Sequence, residues 1–439
     1  MGARLRHGDR AVGMRLSRRV LAAYAAPALP LAALYLPIYV FLAPFWSGTM
    51  GLSVGAIGAV FIAVRLFDAV TDPLMGWLSD RLPVRGLRRK PWLVIALPGV
   101  ALGAWALLDP PPGAGLGWFA GFLVLLTVFW TMYLTPYFAW GAELSGDYAE
   151  RTRVTVWRET VGLVGTVCAM LLYGTAEPGT GLARVALLVM VGLPVLTLVS
   201  LRAPEGRVAR APSGAALLRV LREDTVFARL IAAYLLNGAA NALPATLFLF
   251  FVEFRLGDAA AGGPLLILYF GSAVLGAPLW IWAGGRFDKH RVWCIAMLWA
   301  CGVFACAFLL GEGDVTAFAA ICVASGLVLG ADLSLPPAMQ ADVVDRDTAR
   351  GGVARTGAFF ALWSVATKAS VAVAGGVALL VLEARGFSGQ GGNGAEALVW
   401  LAGLYALAPV ALKLAAVALM WRFPLDRASA ARTRARIAA

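Results

Sequence analysis

Twelve apolar segments, each about as long as a bilayer is thick, constrain this chain more than any other feature. They fall at about 20–46, 53–79, 91–109, 116–143, 154–175 and 182–201, then at about 226–253, 263–285, 291–311, 316–341, 353–383 and 398–421. A helix needs roughly 20 apolar residues to cross ~30 Å of hydrocarbon. Within that hydrocarbon no water satisfies backbone N–H and C=O groups, so segments of this kind span as helices. The expected fold is an all-α polytopic membrane protein with twelve transmembrane helices. Only 14% of the 439 residues are charged, against about 25% in soluble domains, which argues against a water-soluble enzyme.

The charge pattern orients the chain. With the N-terminus inside, the two tails and the even-numbered connections, taken with the helix ends that adjoin them, hold 30 of the 37 Lys and Arg. The outer connections hold three (Arg184, Arg255, Arg385), and four are intramembrane (Arg65, Arg158, Lys368, Lys413). That ten-to-one bias follows the positive-inside rule and puts both termini in the cytoplasm. The expected organisation is a cytoplasmic tail (1–19), a six-helix half (20–201), a cytoplasmic central loop (202–225), a second six-helix half (226–422) and a basic tail (423–439). The net charge of +12 is thus a topology signal and implies no nucleic-acid partner, which would need those charges on one exposed face.

Other chemistries lack their residues. The five cysteines (Cys168, Cys294, Cys301, Cys306, Cys322) are scattered through apolar runs, and the two histidines, His7 and His290, lie in polar, basic stretches. Neither set offers a metal-binding or catalytic spacing, no phosphate-binding GxxxxGK[ST] loop occurs, and no cofactor is implied. The run after the N-terminal arginines is too long for the core of a signal peptide and reads as an uncleaved first helix.

A shift of 205 positions aligns DAVTDPLMGWLSDR (68–81) with AVLGAPLWIWAGGR (273–286). Pro73, Leu74, Trp77 and Arg81 meet Pro278, Leu279, Trp282 and Arg286, and both copies close the second helix of their half. Duplicated six-helix halves around a midplane site are the architecture of the major facilitator superfamily. The copies differ where it matters: Asp68 and Asp72 face Ala273 and Ala277. The fold needs neither carboxylate, so function must explain them. Spaced i, i+4, they share a helical face with Thr71 beside them and Arg65 one turn earlier. One intramembrane aspartate costs about 2.5–3.5 kcal/mol. A pair is tolerable in a wet cavity if it shares a cation or proton. Two carboxylates and a hydroxyl suit Na⁺ or Li⁺, or a shared H⁺; the structural alternative is neutralisation of Asp68 by Arg65.

RLFDAVTDPLMGWLSDR, followed by a basic loop and KPW at 90–92, resembles the glycoside–pentoside–hexuronide:cation symporters, typified by melibiose permease. The resemblance covers most of the chain: GLSVGAIG (51–58), WTMYLTPYFAWGAEL (130–144), VTVWRE (154–159), LPPAMQADVVD (335–345) and GAFFALWSVATK (357–368). It implies that Asp68, Thr71, Asp72 and Thr131 form the cation site, with Asp68 and Asp72 as metal ligands if sodium is coupled. It also puts Arg158 and Lys368 at the family's fifth- and eleventh-helix basic positions. Two departures concern the cargo. The family's sugar-binding aspartates correspond to Ala32 and Leu134, and a sugar hydroxyl without an acceptor loses about 1–3 kcal/mol.

Further candidates for a substrate-lining role are Asp332, the seventh-helix pair Asn237 and Asn241, and the aromatics Tyr133, Tyr137, Trp140, Trp157 and Trp363. Asp332 and the asparagines could equally bond helix to helix, and for any one of the aromatics interfacial belts and packing are the default reading. Arg158 and Glu159 are neighbours that should point apart on a helix, so that pair is expected not to neutralise itself. The expected function is secondary active symport, by alternating access, of a small organic solute with Na⁺ or H⁺, in the inner membrane of a bacterium. A sugar or glycoside is the first cargo and a lysophospholipid the second. A non-transporting accessory protein would have no use for the acidic pair. The expected partners are the solute, the cation and the lipid bilayer, and the expected state is a monomer.

Overall fold

The computed structural model describes residues 15–82, 87–145, 148–174, 178–205, 222–349 and 356–438. Most of the expected N-terminal tail with His7, residues 206–221 of the central loop, and the start of the eleventh segment at 353 lie outside the described residues. Among the described residues, twelve helices are long and apolar enough to cross a membrane. They are α1 (Arg18–Gly48), α2 (Val54–Arg81), α3 (Lys90–Leu108), α4 (Leu116–Glu143), α5 (Tyr148–Gly174) and α6 (Pro178–Ser200). Then come α7 (Thr225–Arg255), α8 (Gly262–Arg286), α9 (Lys289–Ala307), α10 (Val315–Ala349), α11 (Thr356–Ala384) and α12 (Ala395–Met420). A thirteenth, α13 (Arg427–Ala438), is polar and follows the last span.

Local chemistry sets the ends. The Ser17 hydroxyl accepts the Val20 N–H at the start of α1, and the Asp224 carboxylate accepts the N–H groups of Val226 and Phe227, each at 3.0 Å, at the start of α7. Such caps satisfy donors that have no partner inside the helix. Prolines inside α2, α3, α4, α6, α7, α8 and α10 are of the kind that membrane helices tolerate. The charged residues at 341–349 form the last turns of α10, which runs on to Ala349. Leaving the hydrocarbon ends the apolar pattern before it ends the helix.

The chain forms two compact units. One comprises described residues within 1–38 and 67–210, the other those within 39–66 and 211–439. In the first, α1 crosses α5 where Gly165 abuts the Leu29 carbonyl, and α3 meets α4 where Gly103 faces Leu126. In the second, the core gathers Phe227, Trp293, Met297, Phe359 and Met420 from α7, α9, α11 and α12. The outer part of α2 also belongs there: a Cβ on Gly58 would lie 2.6 Å from the Gly376 carbonyl oxygen of α11, so glycine permits backbone-to-backbone contact. The five cysteines are free thiols. His290, expected in a polar stretch, is buried at the start of α9 beside Phe423.

Candidate functional site

The acidic pair of α2 meets α4. Asp68 is 3% exposed, and its Oδ1 accepts the Thr131 hydroxyl of α4 at 2.8 Å. Thr131, itself buried, is brought there because α2 and α4 touch two turns on, where Gly76 faces Thr135. The Thr71 hydroxyl donates to the Asp68 carbonyl at 3.3 Å, and Asp72 lies half-buried on the next turn. Pro73 removes the N–H that the Ala69 carbonyl would otherwise receive, and Pro136 does the same for Met132. Asp68 and Thr131 thus meet across two helices, with Thr71 and Asp72 on the adjoining turn of α2. That is a hard-oxygen set suited to an alkali cation or a proton. Arg65, the alternative partner, donates to the Tyr39 hydroxyl at 2.8 Å.

On α5, the Arg158 guanidinium lies 4.3 Å from the ring centre of Phe138 and pairs with Glu159 at 2.6 Å. The sequence expectation that these neighbours would not pair is corrected. Consecutive Cα atoms are only 3.8 Å apart, and the Glu159 side chain, 69% exposed, has the freedom to swing back to the guanidinium. Arg158 therefore offers a charge-balanced, aromatic-backed group.

Of their two readings, the α4 aromatics take the packing one. Tyr133, Tyr137 and Trp140 are fully buried. The Tyr133 and Thr197 hydroxyls are bonded at 2.6 Å, the Tyr137 hydroxyl donates to the Tyr24 carbonyl at 2.9 Å, and the Trp140 ring N–H donates to the Pro204 carbonyl at 2.7 Å. Tyr137 also stacks on Tyr24 at 4.9 Å. In this structure the three rings join α4 to α1 and α6 rather than offer a face to a solute. Trp363 is likewise 9% exposed and stacked 3.9 Å from Tyr234, one helical turn from the half-buried Lys368 of α11.

Three further candidates converge. Asn237 and Asn241 of α7 and Asp332 of α10 join in one buried cluster with Lys413 of α12 and Trp293 of α9. The Lys413 ammonium donates to Asn237 Oδ1 at 2.7 Å and pairs with Asp332 at 3.1 Å. Asn241 donates to the same Asp332 oxygen at 3.0 Å, and Trp293 donates to the other at 2.7 Å. Of their two readings, the helix-to-helix one describes this geometry. Sequence reasoning counted Lys413 as intramembrane without giving it a partner. Its signal was arithmetic: a lysine inside one span needs a carboxylate inside another. Among the described residues, no group of three or more His, Cys, Asp or Glu is placed to hold a metal ion.

The sequence pattern of the family described as MFS/sugar transport protein matches residues 23–427. The chain belongs to that family. It is a transporter and not an enzyme. It is 24% identical to the sodium-dependent lysophosphatidylcholine symporter 1-A of Danio rerio, over 82% of this chain and 77% of that one. It is 22% identical to the putative glycoside/cation symporter YagG of Escherichia coli, over 84% of each chain. A bacterial homolog of the human lysosomal transporter Spinster superposes with a TM-score of 0.67 at 15% identity, covering 94% of this transporter and 96% of that chain. That likeness carries the twelve-helix fold alone.

Proposed function

We propose that this transporter is a cation-coupled symporter of a bacterial inner membrane. It draws a small organic solute inward, by alternating access of its six-helix halves (20–201 and 226–422), as Na⁺ or H⁺ moves down its gradient through Asp68 and Asp72. The observation that carries the reading is the buried Asp68 carboxylate bonded to Thr131 from a second helix, with Thr71 and Asp72 on the adjoining turn. A carboxylate that the second copy of the repeat lacks is costly in a membrane, and exchange of a cation gives it a use. The sodium-dependent and cation-coupled names of the relatives support the same coupling.

The cargo reading follows the family description: a sugar or glycoside, held without the carboxylates that Ala32 and Leu134 replace. One observation favours a second reading. Arg158 laid on Phe138 pairs a cation with an apolar surface, which suits an amphiphile with an anionic headgroup such as a lysophospholipid.

Purified transporter in detergent, heated with sugars or lysophospholipids in Na⁺ or in K⁺, tests both. A ligand at 100 times its Kd stabilises by about 2.7 kcal/mol. A sugar shift that grows with Na⁺ and vanishes in Asp72→Asn supports sugar symport, and the same behaviour with lysophospholipid supports the second cargo. Sodium stimulation of uptake into liposomes that survives in Asp72→Asn would falsify the coupling site.

A further inference from the structure

The repeat that exposed the acidic pair holds a second contrast. In the first copy Arg81 folds over Trp77, 4.9 Å from its ring centre. In the second, Trp282 meets Phe287 edge-on at 6.2 Å, and Arg286 lines an open surface recess with Ile281, Trp282, Gly285, Phe287 and Arg427. The span of α8 ends at Arg286, and the positive-inside pattern puts that end at the cytoplasmic face. The recess therefore straddles the interface. Ile281 and Trp282, 62% and 58% exposed, belong to the membrane-spanning stretch, while Arg286 and Arg427 stand at the water side.

The cationic wall is built. Arg427 donates through one guanidinium nitrogen to the Arg286 carbonyl at 2.6 Å and through its backbone N–H to Asp288 at 3.0 Å, which fixes the start of α13 against the end of α8. A guanidinium carries five N–H donors, so Arg427 keeps others for an acceptor. The acidic groups nearby are engaged: Asp288 by Arg427 and Arg291, Asp426 by the Ser429 N–H. Apolar side chains at membrane depth beneath two arginines at headgroup depth match one molecule that is always at hand there.

We propose that this recess binds the headgroup of an anionic phospholipid of the cytoplasmic leaflet, with Arg286 and Arg427 on the phosphate and Ile281, Trp282 and Phe287 against the glycerol and upper acyl chains. The negative surface of that leaflet attracts basic segments at this depth.

Native mass spectrometry of the full-length transporter tests it, in micelles doped with phosphatidylglycerol, phosphatidylcholine or inorganic phosphate. The expected result is retention of phosphatidylglycerol over phosphatidylcholine, weakened about fivefold by each of Arg286→Gln and Arg427→Gln. Because Arg427→Gln also loosens α13, Gly285→Leu is the independent variant. An added Cβ at Gly285 meets open space, so the leucine fills the recess without touching a charge and should abolish the preference. Equal retention of the two lipids, or unchanged retention in Arg286→Gln and Gly285→Leu, overturns the proposal. Displacement of phosphatidylglycerol by millimolar inorganic phosphate also overturns it, since the site would then be for a phosphate ion.

Discussion

At the scale of single residues, the coupling reading turns on one hydroxyl. Thr131 donates to Asp68 at 2.8 Å inside the protein, and hydrogen bonds to charged groups are worth about 1.5–3 kcal/mol. Thr131→Val keeps the shape and removes the donor, so apparent Na⁺ affinity should fall about 10- to 100-fold, while Thr131→Ser stays near the parent. Sodium titrations of uptake read both, and equal affinities in Val and Ser variants would refute a role for the hydroxyl. Asp68, Thr71 and Asp72 were legible because a repeat without them exposed their cost, and Thr131 because a family string carried it. The pairing of Arg158 with Glu159 was not legible. Spacing rules describe where side chains leave a helix, not where long ones end.

At the scale of elements, Asp332 and Lys413 join α7, α9, α10 and α12 through one buried cluster. Removing one member of a buried ion pair leaves an uncompensated charge, at about 3–5 kcal/mol. Lys413→Met should therefore lower thermal stability strongly, and adding Asp332→Asn should restore part of the loss; additive losses in the double variant would mean that the pair does not couple. Helix existence was readable from apolar length, whereas this cluster was not, since sequence gives no register between α10 and α12. A second element-scale effect concerns α13. The Ser429 N–H bonded to Asp426 holds that carboxyl below its usual value. A lowered folded-state pKa gives stability that is present above the ordinary aspartate value, near 4, and is lost as pH falls through the lowered one. The protection factor of the Ser429 amide, its exchange rate corrected for the intrinsic pH dependence of amide exchange, should accordingly hold at neutral and mildly acidic pH and fall below about pH 4. Asp426→Asn, still able to cap, should flatten that dependence.

At the scale of the whole molecule, the duplication reaches further than the aligned strings. Arg89, preceding α3, pairs with Glu143 at the end of α4 at 2.6 Å, and Lys289, opening α9, pairs with Asp342 late in α10 at 2.6 Å. In each set of six helices an ion pair thus holds the start of the third helix to the end of the fourth. The residue types differ, so identity matching at a fixed shift does not find it; only the paired geometry does. The two pairs differ in burial. Arg89 and Glu143 are 4% and 5% exposed, with Ser79 as a further acceptor for Arg89 at 2.9 Å, whereas the Lys289 side chain is 25% exposed. Burial sets the cost of breaking such a pair, and water compensates what is left in the more open one. Arg89→Ala should therefore unfold the transporter at a distinctly lower temperature than Lys289→Ala does, with the effect of Lys289→Ala fading further in high salt. The reversed pair Arg89→Glu with Glu143→Arg should recover stability that either single change loses. If the two alanine variants melted together at every salt concentration, burial would not be what separates the two copies.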